Sequence, residues 1–177
     1  MTDWASIYRP AFGAPIEGVA FQPITCDTPD VLRHLQRLSF WYSGSICIGF
    51  KNGHQIDLTW DASRLCLTQA ESSSWRPFSR DRINMSWEEP WGALGNASLH
   101  TVQLFDADIE LGQAEIIRDI VAARHDFASP TSKVSLWVCT GIERDGRAGD
   151  GDELYVGLEP PTNHAELTLA MTLSAQA

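Results

Sequence analysis

Hydrophobic and polar residues alternate most cleanly between Ser39 and Trp60, SFWYSGSICIGFKNGHQIDLTW. Ile46, Ile48 and Phe50 alternate with Cys47, Gly49 and Lys51, and Ile56, Leu58 and Trp60 alternate with Gln55, Asp57 and Thr59. Period two over both flanks of Lys51-Asn52-Gly53 predicts a β-hairpin with one buried face. A two-residue Asn-Gly loop would set Phe50 opposite Gln55 and Ile48 opposite Asp57, apolar against polar on one face. A three-residue loop instead pairs Phe50 with His54, Ile48 with Ile56 and Ile46 with Leu58. It places Gly53 at the left-handed position of a type I turn with a G1 bulge, and this is the register expected.

Other stretches follow the same logic. Ile16 to Phe21 predicts a short strand after an extended lead-in, and Leu65 and Leu67 mark another strand. Leu99 to Phe105 predicts a strand with His100, Val102 and Leu104 on one face. Val134 to Thr140, Leu154 to Leu158, and Leu167, Leu169, Met171 and Leu173 all alternate as strands. Two stretches have helical character. Thr28 as N-cap, Pro29 at the first helical position and Asp30 in the first turn open a helix over Pro29 to Leu38, with Val31, Leu32, Leu35 and Leu38 as its apolar stripe. Ile116, Ile117, Ile120 and Val121 fall at i, i+1, i+4 and i+5, which also predicts a helix, with a strand as the alternative.

Residues 135–142, SLWVCTGI, align with 39–46, SFWYSGSI, and residues 150–158 align with 52–60 through the skeleton [ND]-G-x-[QE]-[IL]-x-[LV]. A two-residue insertion in the second loop reconciles the two offsets. A duplicated β unit of about half the chain and two unrelated amphipathic hairpins account for this equally well.

These elements predict an α+β chain dominated by antiparallel β-structure. The expected arrangement is a β-sandwich or partly open barrel of seven to ten strands, with one or two short helices on one face. At 177 residues with 44% hydrophobic content it is sized for one compact domain, built as one unit or as two related halves at about 1–92 and 93–177.

Charge narrows the partners. The net charge of −10 argues against a phosphate-neutralising nucleic-acid surface, which needs clustered Lys and Arg. Residues 1–92 carry 10 acidic and 8 basic side chains, and residues 93–177 carry 13 and 5, so the second half holds most of the charge. Such a half favours a basic partner or serves solubility. The first residues, MTDWASIYRP, have neither a basic nor an apolar leader region, and no apolar run reaches about 18 residues. A cytoplasmic location without membrane spanning is the expectation. Cys26, Cys47, Cys66 and Cys139 form no C-x-x-C pair and read as isolated buried thiols, with no structural zinc expected.

The candidate chemistry is sparse. Residues 71–96 carry Trp75, Trp87 and Trp91 beside Glu88 and Glu89. Three tryptophans there could stack on a sugar or another planar ligand while the carboxylates accept hydroxyl hydrogen bonds. Roofing a sheet core is the better-founded use of such large rings. The Gly-rich loop from Asp145 to Glu153 suggests calcium, but Arg147 and Gly149 occupy the third and fifth ligand positions of an EF-hand pattern. His164 with Glu166, or His100 with Asp106, are the candidate acid–base couples. No H-E-x-x-H, G-x-S-x-G or P-loop pattern is present, and no cofactor is expected.

The sequence therefore favours a non-enzymatic binding protein, in the manner of an inhibitor or immunity protein, whose acidic surface at Asp150, Asp152 and Glu153 meets a basic protein. A small-ligand or carbohydrate-binding β module using Trp75, Trp87 and Trp91 is the second reading. A hydrolase with residues converging only in space is the third. Oligomeric state is not set by any of these patterns.

Overall fold

The structure, a computed structural model, describes residues 2–23, 37–42, 44–61, 63–64, 66–69, 83–84, 90–111, 115–140, 154–162 and 167–175. They form two antiparallel sheets that face each other as an open sandwich and not as a closed barrel. Five strands make one sheet: β1 (Ile16–Pro23), β3 (Gly44–Phe50), β4 (Gln55–Asp61), β5 (Cys66–Gln69) and β6 (Ile83–Asn84), in the order β5-β4-β3-β1-β6. Six make the other: β2 (Ser39–Tyr42), β7 (Ser98–Leu111), β8 (Glu115–Ala128), β9 (Lys133–Thr140), β10 (Leu154–Gly157) and β11 (Thr168–Ser174), in the order β11-β7-β8-β9-β10-β2.

The hairpin of β3 and β4 has the expected register, with Ile46 opposite Leu58 and Ile48 opposite Ile56. Phe50 N–H donates to His54 O at 3.0 Å, Gly53 N–H donates to Phe50 O at 2.9 Å, and Gly53 has φ +82°. A three-residue loop needs that left-handed residue, and glycine supplies it without Cβ strain. Ile46, Ile48, Ile56 and Leu58 are fully buried between the sheets. The hairpin starts at Gly44, because Ser39–Tyr42 belongs to the six-stranded sheet, where it pairs with β10.

The N-terminal segment is not wholly extended. Trp4–Tyr8 form helix α1, capped by Asp3, whose carboxylate accepts from Ser6 N–H at 3.1 Å. Trp4 and Tyr8, one turn apart, put both rings on the buried face. Pro10 then sits in a 3-10 turn over Arg9–Ala11, and the expected strand follows as β1.

Residues 115–124 are strand and not helix. β8 pairs along its length with β7, and from Ala122 to Ala128 with β9. Two features produced the helical spacing. A bulge between Phe105 and Asp106 leaves Val121 without an opposite residue, which resets the alternation. Both faces of the strand are also covered there, since Val121, Ala122 and Ala123 are all buried. A bulge between Leu99 and Thr101 likewise takes His100 off the face it was expected to share, and His100 is exposed while Val102 and Leu104 are buried.

β11 departs from its pattern for the same reason. Ala170 bulges, so Met171 and Leu173 pair with Leu104 and Val102, whereas Leu169 pairs with Phe105. The stripe expected on one face is split: Leu173 packs on the main core, and Leu167 packs on a second, smaller cluster. The helix expected over Pro29 to Leu38 lies outside the described residues apart from Arg37 and Leu38, which are exposed and non-helical.

The main core joins both sheets, through Phe21, Ile48 and Leu58 from one and Leu104, Leu136 and Val156 from the other, with Tyr8 and Trp91. The second cluster gathers Cys66, Ile109, Val121, Ala122, Trp137, Cys139 and Tyr155. Leu136 and Val138 face the first and Trp137 and Cys139 the second, so β9 is covered on both sides.

Candidate functional site

Among the described residues, two groupings of polar side chains stand out, one inside the sandwich and one on the outer face of the six-stranded sheet. Inside, His125 projects from β8 and is fully buried. Its Nδ1 lies 3.1 Å from Leu136 O, and its Nε2 lies 2.8 Å from Tyr8 Oη. A carbonyl can only accept, so Nδ1 carries the proton, and Nε2 accepts from the Tyr8 hydroxyl. Burial pushes His125 down to about 4, against smaller opposing effects of the Leu136 carbonyl and the Asp126 charge. Burial also pushes the Tyr8 phenol up. The pair is therefore neutral and sealed, and it ties α1 to the sheet.

The rest of the N-terminal segment is held by polar contacts from the hairpin turn. His54 Nε2 reaches Ile7 O at 2.8 Å and Asn52 Nδ2 donates to Pro10 O at 2.7 Å, while Lys51 Nζ ties the same turn to Asn96 Oδ1, just ahead of β7, at 2.8 Å. With the bonds of His125, the bond of His54 accounts for two of the five histidines as structural.

On the outer face, a row runs from Gln103 on β7 through Arg124 on β8 to Trp137 on β9, each opposite the next. Arg124 Nε donates to Asp126 Oδ1 at 2.8 Å and to Ser135 Oγ at 3.2 Å, while its guanidinium lies 5.7 Å from the Trp137 ring centre. Phe105 stacks on Trp137 at 5.4 Å. Further along, Trp41 meets Tyr155 edge-on at 5.2 Å, and the Tyr155 hydroxyl donates to Glu159 O at 2.8 Å. Gly157 makes this closure possible, since a Cβ there would lie 2.7 Å from Tyr155 Oη and 2.6 Å from Ser39 Cβ.

Trp41 and Trp137, the tryptophans of the two aligned S-x-W segments, thus flank β10 on one face of the sheet. Trp137 is only 6% exposed, so its ring is already covered and offers no open platform. Trp41 is 38% exposed. The sequence did not single out this face, although its signal was present in the outward positions of strands read only for their inward ones.

Of the residues singled out, Trp91 is described. It lies in a 3-10 turn over Trp91–Leu94, 1% exposed in the main core, where the core-roofing alternative placed such rings. It presents no face to a ligand. Trp75, Trp87, Glu88, Glu89, Asp150, Asp152 and Glu153 lie outside the described residues, as do the Asp145 loop and the His164 and Glu166 couple.

The other couple is separated. Asp106 accepts two bonds from Arg118, Nε to Oδ2 at 2.9 Å and Nη2 to Oδ1 at 2.8 Å, six positions along β7 from exposed His100. Six strand residues span roughly 20 Å, far beyond proton-transfer reach.

Two of the described thiols, Cys66 and Cys139, are equally unsuited to nucleophilic work. Burial, with the Asp119 charge beside it, pushes Cys66 up to about 12, and burial pushes Cys139 up as well, so neither is a thiolate near neutrality. Among the described residues no group of three or more His, Cys, Asp or Glu side chains is placed to hold a metal ion. No described helix is long and apolar enough to cross a membrane.

Comparison of the chain with protein-family models, with characterised proteins and with solved structures finds no match.

Proposed function

We propose that this chain is a non-enzymatic binding protein whose acidic C-terminal half meets a basic protein partner. The observation that carries the reading is the uneven charge: residues 93–177 hold 13 acidic and only 5 basic side chains. Two of those bases are already engaged, Arg118 by Asp106 and Asp108 and Arg124 by Asp126. Those pairs cancel acid against base within the half and leave its excess of 13 acidic over 5 basic side chains to set a negative field, which speeds encounter with a positive surface. The bonding of His54, His125 and Tyr8 supports the non-enzymatic side of the reading, because each serves packing.

The test is capture of a partner from the source cell by the tagged chain, beside a variant carrying Asp150→Asn, Asp152→Asn and Glu153→Gln. A basic protein held in stoichiometric amount at about 50 mM salt, released by about 500 mM and lost with the variant, is the expected result. Capture unchanged by both salt and the substitutions would overturn the proposal.

A further inference from the structure

Residues 2–11 run ahead of β1 and contribute a strand to neither sheet. Trp4, Tyr8 and Ala11 nonetheless belong to the main core. Beyond packing, side chains of β8 and of the β3–β4 turn hold the segment. His125 Nε2 accepts from the Tyr8 hydroxyl at 2.8 Å, His54 Nε2 donates to Ile7 O at 2.8 Å, and Asn52 Nδ2 donates to Pro10 O at 2.7 Å. The segment gives way to Gly13, whose N–H donates to Leu99 O at 2.8 Å and whose φ of +75° glycine adopts without Cβ strain. It is a strap hung between a buried hydrogen bond and a pivot.

We propose that acid releases this strap: a proton on His125 Nε2 takes away the acceptor of the Tyr8 hydroxyl, and residues 2–11 swing out about Gly13 while both sheets stay paired. His125 lies within β8, opposite Val102 of β7 and Leu136 of β9, and its Nδ1 bond to Leu136 O survives protonation. The strain of a buried imidazolium therefore falls on the Nε2 side, where Tyr8 shuts out water. The Tyr8 hydroxyl can turn to accept from the charged ring, but it then loses its own acceptor. Lifting the strap hydrates the ring at the loss of one five-residue helix. Hydrating it by parting the strands instead would break the β7–β8 ladder from Ser98 to Leu111 or the β8–β9 ladder from Ala122 to Ala128.

The groups around His125 leave it as the trigger. Tyr8 is its titratable neighbour from α1, and burial keeps that phenol neutral; Val102 and Leu136 bring none from β7 and β9. Asp126, next along β8, favours the proton less than burial opposes it. His54 does not switch its contact, because a ring nitrogen facing a carbonyl donates whether or not the ring is charged. Asp3, which caps α1, is the carboxylate on the strap itself and is separated by substitution below. The folded value of His125, about 4, lies under the ordinary 6.5 that exposure restores, so the released form binds the proton more tightly. Release is favoured as the pH falls below 6.5, and the gain is complete once it is below about 4. None of this depends on the acidic surface proposed above.

Hydrogen exchange of the full chain, followed amide by amide as the pH is lowered and corrected for the intrinsic rate, tests the release. Ile7 and Arg9 N–H, bonded to Asp3 O and Ala5 O, report on the strap. Their protection should fall about twentyfold from about pH 7 to about pH 5 and stay unchanged in dilute urea, the mark of a local opening. Amides of β3 and β4 should remain far better protected and respond to urea. His125→Gln should abolish the fall, whereas Asp3→Ser, which keeps a cap without a carboxylate, should leave it intact. Tyr8→Phe should raise opening about tenfold at about pH 7. In the unsubstituted chain the fall should level off where the folded His125 ring titrates by NMR, a measurement that needs no variant to fold. Strap amides exchanging in step with β3 and β4, protection flat with pH, or a fall that survives His125→Gln or vanishes with Asp3→Ser would overturn the inference.

Discussion

Gly53 and His125 show how single positions in this chain are constrained by different physics. At Gly53 the constraint is local: φ is +82°, and a Cβ there would meet nothing within 4 Å. Substitution therefore costs backbone strain alone. Gly53→Ala should lower stability by about 1–2 kcal/mol in denaturant unfolding, without changing the fold. A variant as stable as the parent would refute the turn assignment.

At His125 the constraint is burial, and it links stability to pH. Its folded value of about 4 lies below the ordinary 6.5, so the unfolded chain binds the proton more readily. The stabilising contribution is complete above pH 6.5 and falls away as the pH drops toward 4. That window corresponds to about 3 kcal/mol. His125→Gln should flatten this part of the stability profile. Tyr8→Phe, which removes the donor to Nε2, should cost about 1–3 kcal/mol at neutral pH.

Among the elements, α1 and the 3-10 turn at Trp91 act as wedges that fill the main core from outside the sheets. Trp91→Ala should be among the most damaging single changes, costing about 3–5 kcal/mol through the cavity left behind. Thermal unfolding would show it as a large drop in midpoint.

The hairpin of β3 and β4 was legible down to its register because one face is buried, the turn chemistry is local, and a single shift would invert every side chain. β8 was not read as a strand at first preference, because Val121 in its bulge and the paired Ala122 and Ala123 erase period two. The stripe of β11 was misassigned to one face because a bulge at Ala170 depends on its pairing with β7 and leaves no mark in its own seven residues. α1 was missed although Asp3 and the Trp4 and Tyr8 spacing announce it, since five residues are too few for periodicity to outweigh the surrounding Pro and Gly. Of the candidate site, the Trp91 ring was legible as large and apolar, but nothing in its spacing distinguished a roof from a platform.

At the scale of the whole molecule, several of the described polar groups are turned inward or paired, while His100 stands exposed on the surface. His125 and Tyr8 lock together, Asp106 and Asp126 hold arginines, and Cys66 and Cys139 are protonated by burial. The recognition surface proposed for the molecule is its acidic half, and capture of a basic partner there is expected to weaken as salt rises.

The sealed interior is the claim on which this division rests, and an NMR titration of the His125 ring from pH 8 downward tests it most directly. The account expects the ring to stay neutral through the ordinary histidine range and to protonate only as the value of about 4 is approached or the chain unfolds. Reversible protonation near 6.5 in the folded protein would contradict it, because His125 would then be open to water and available for chemistry.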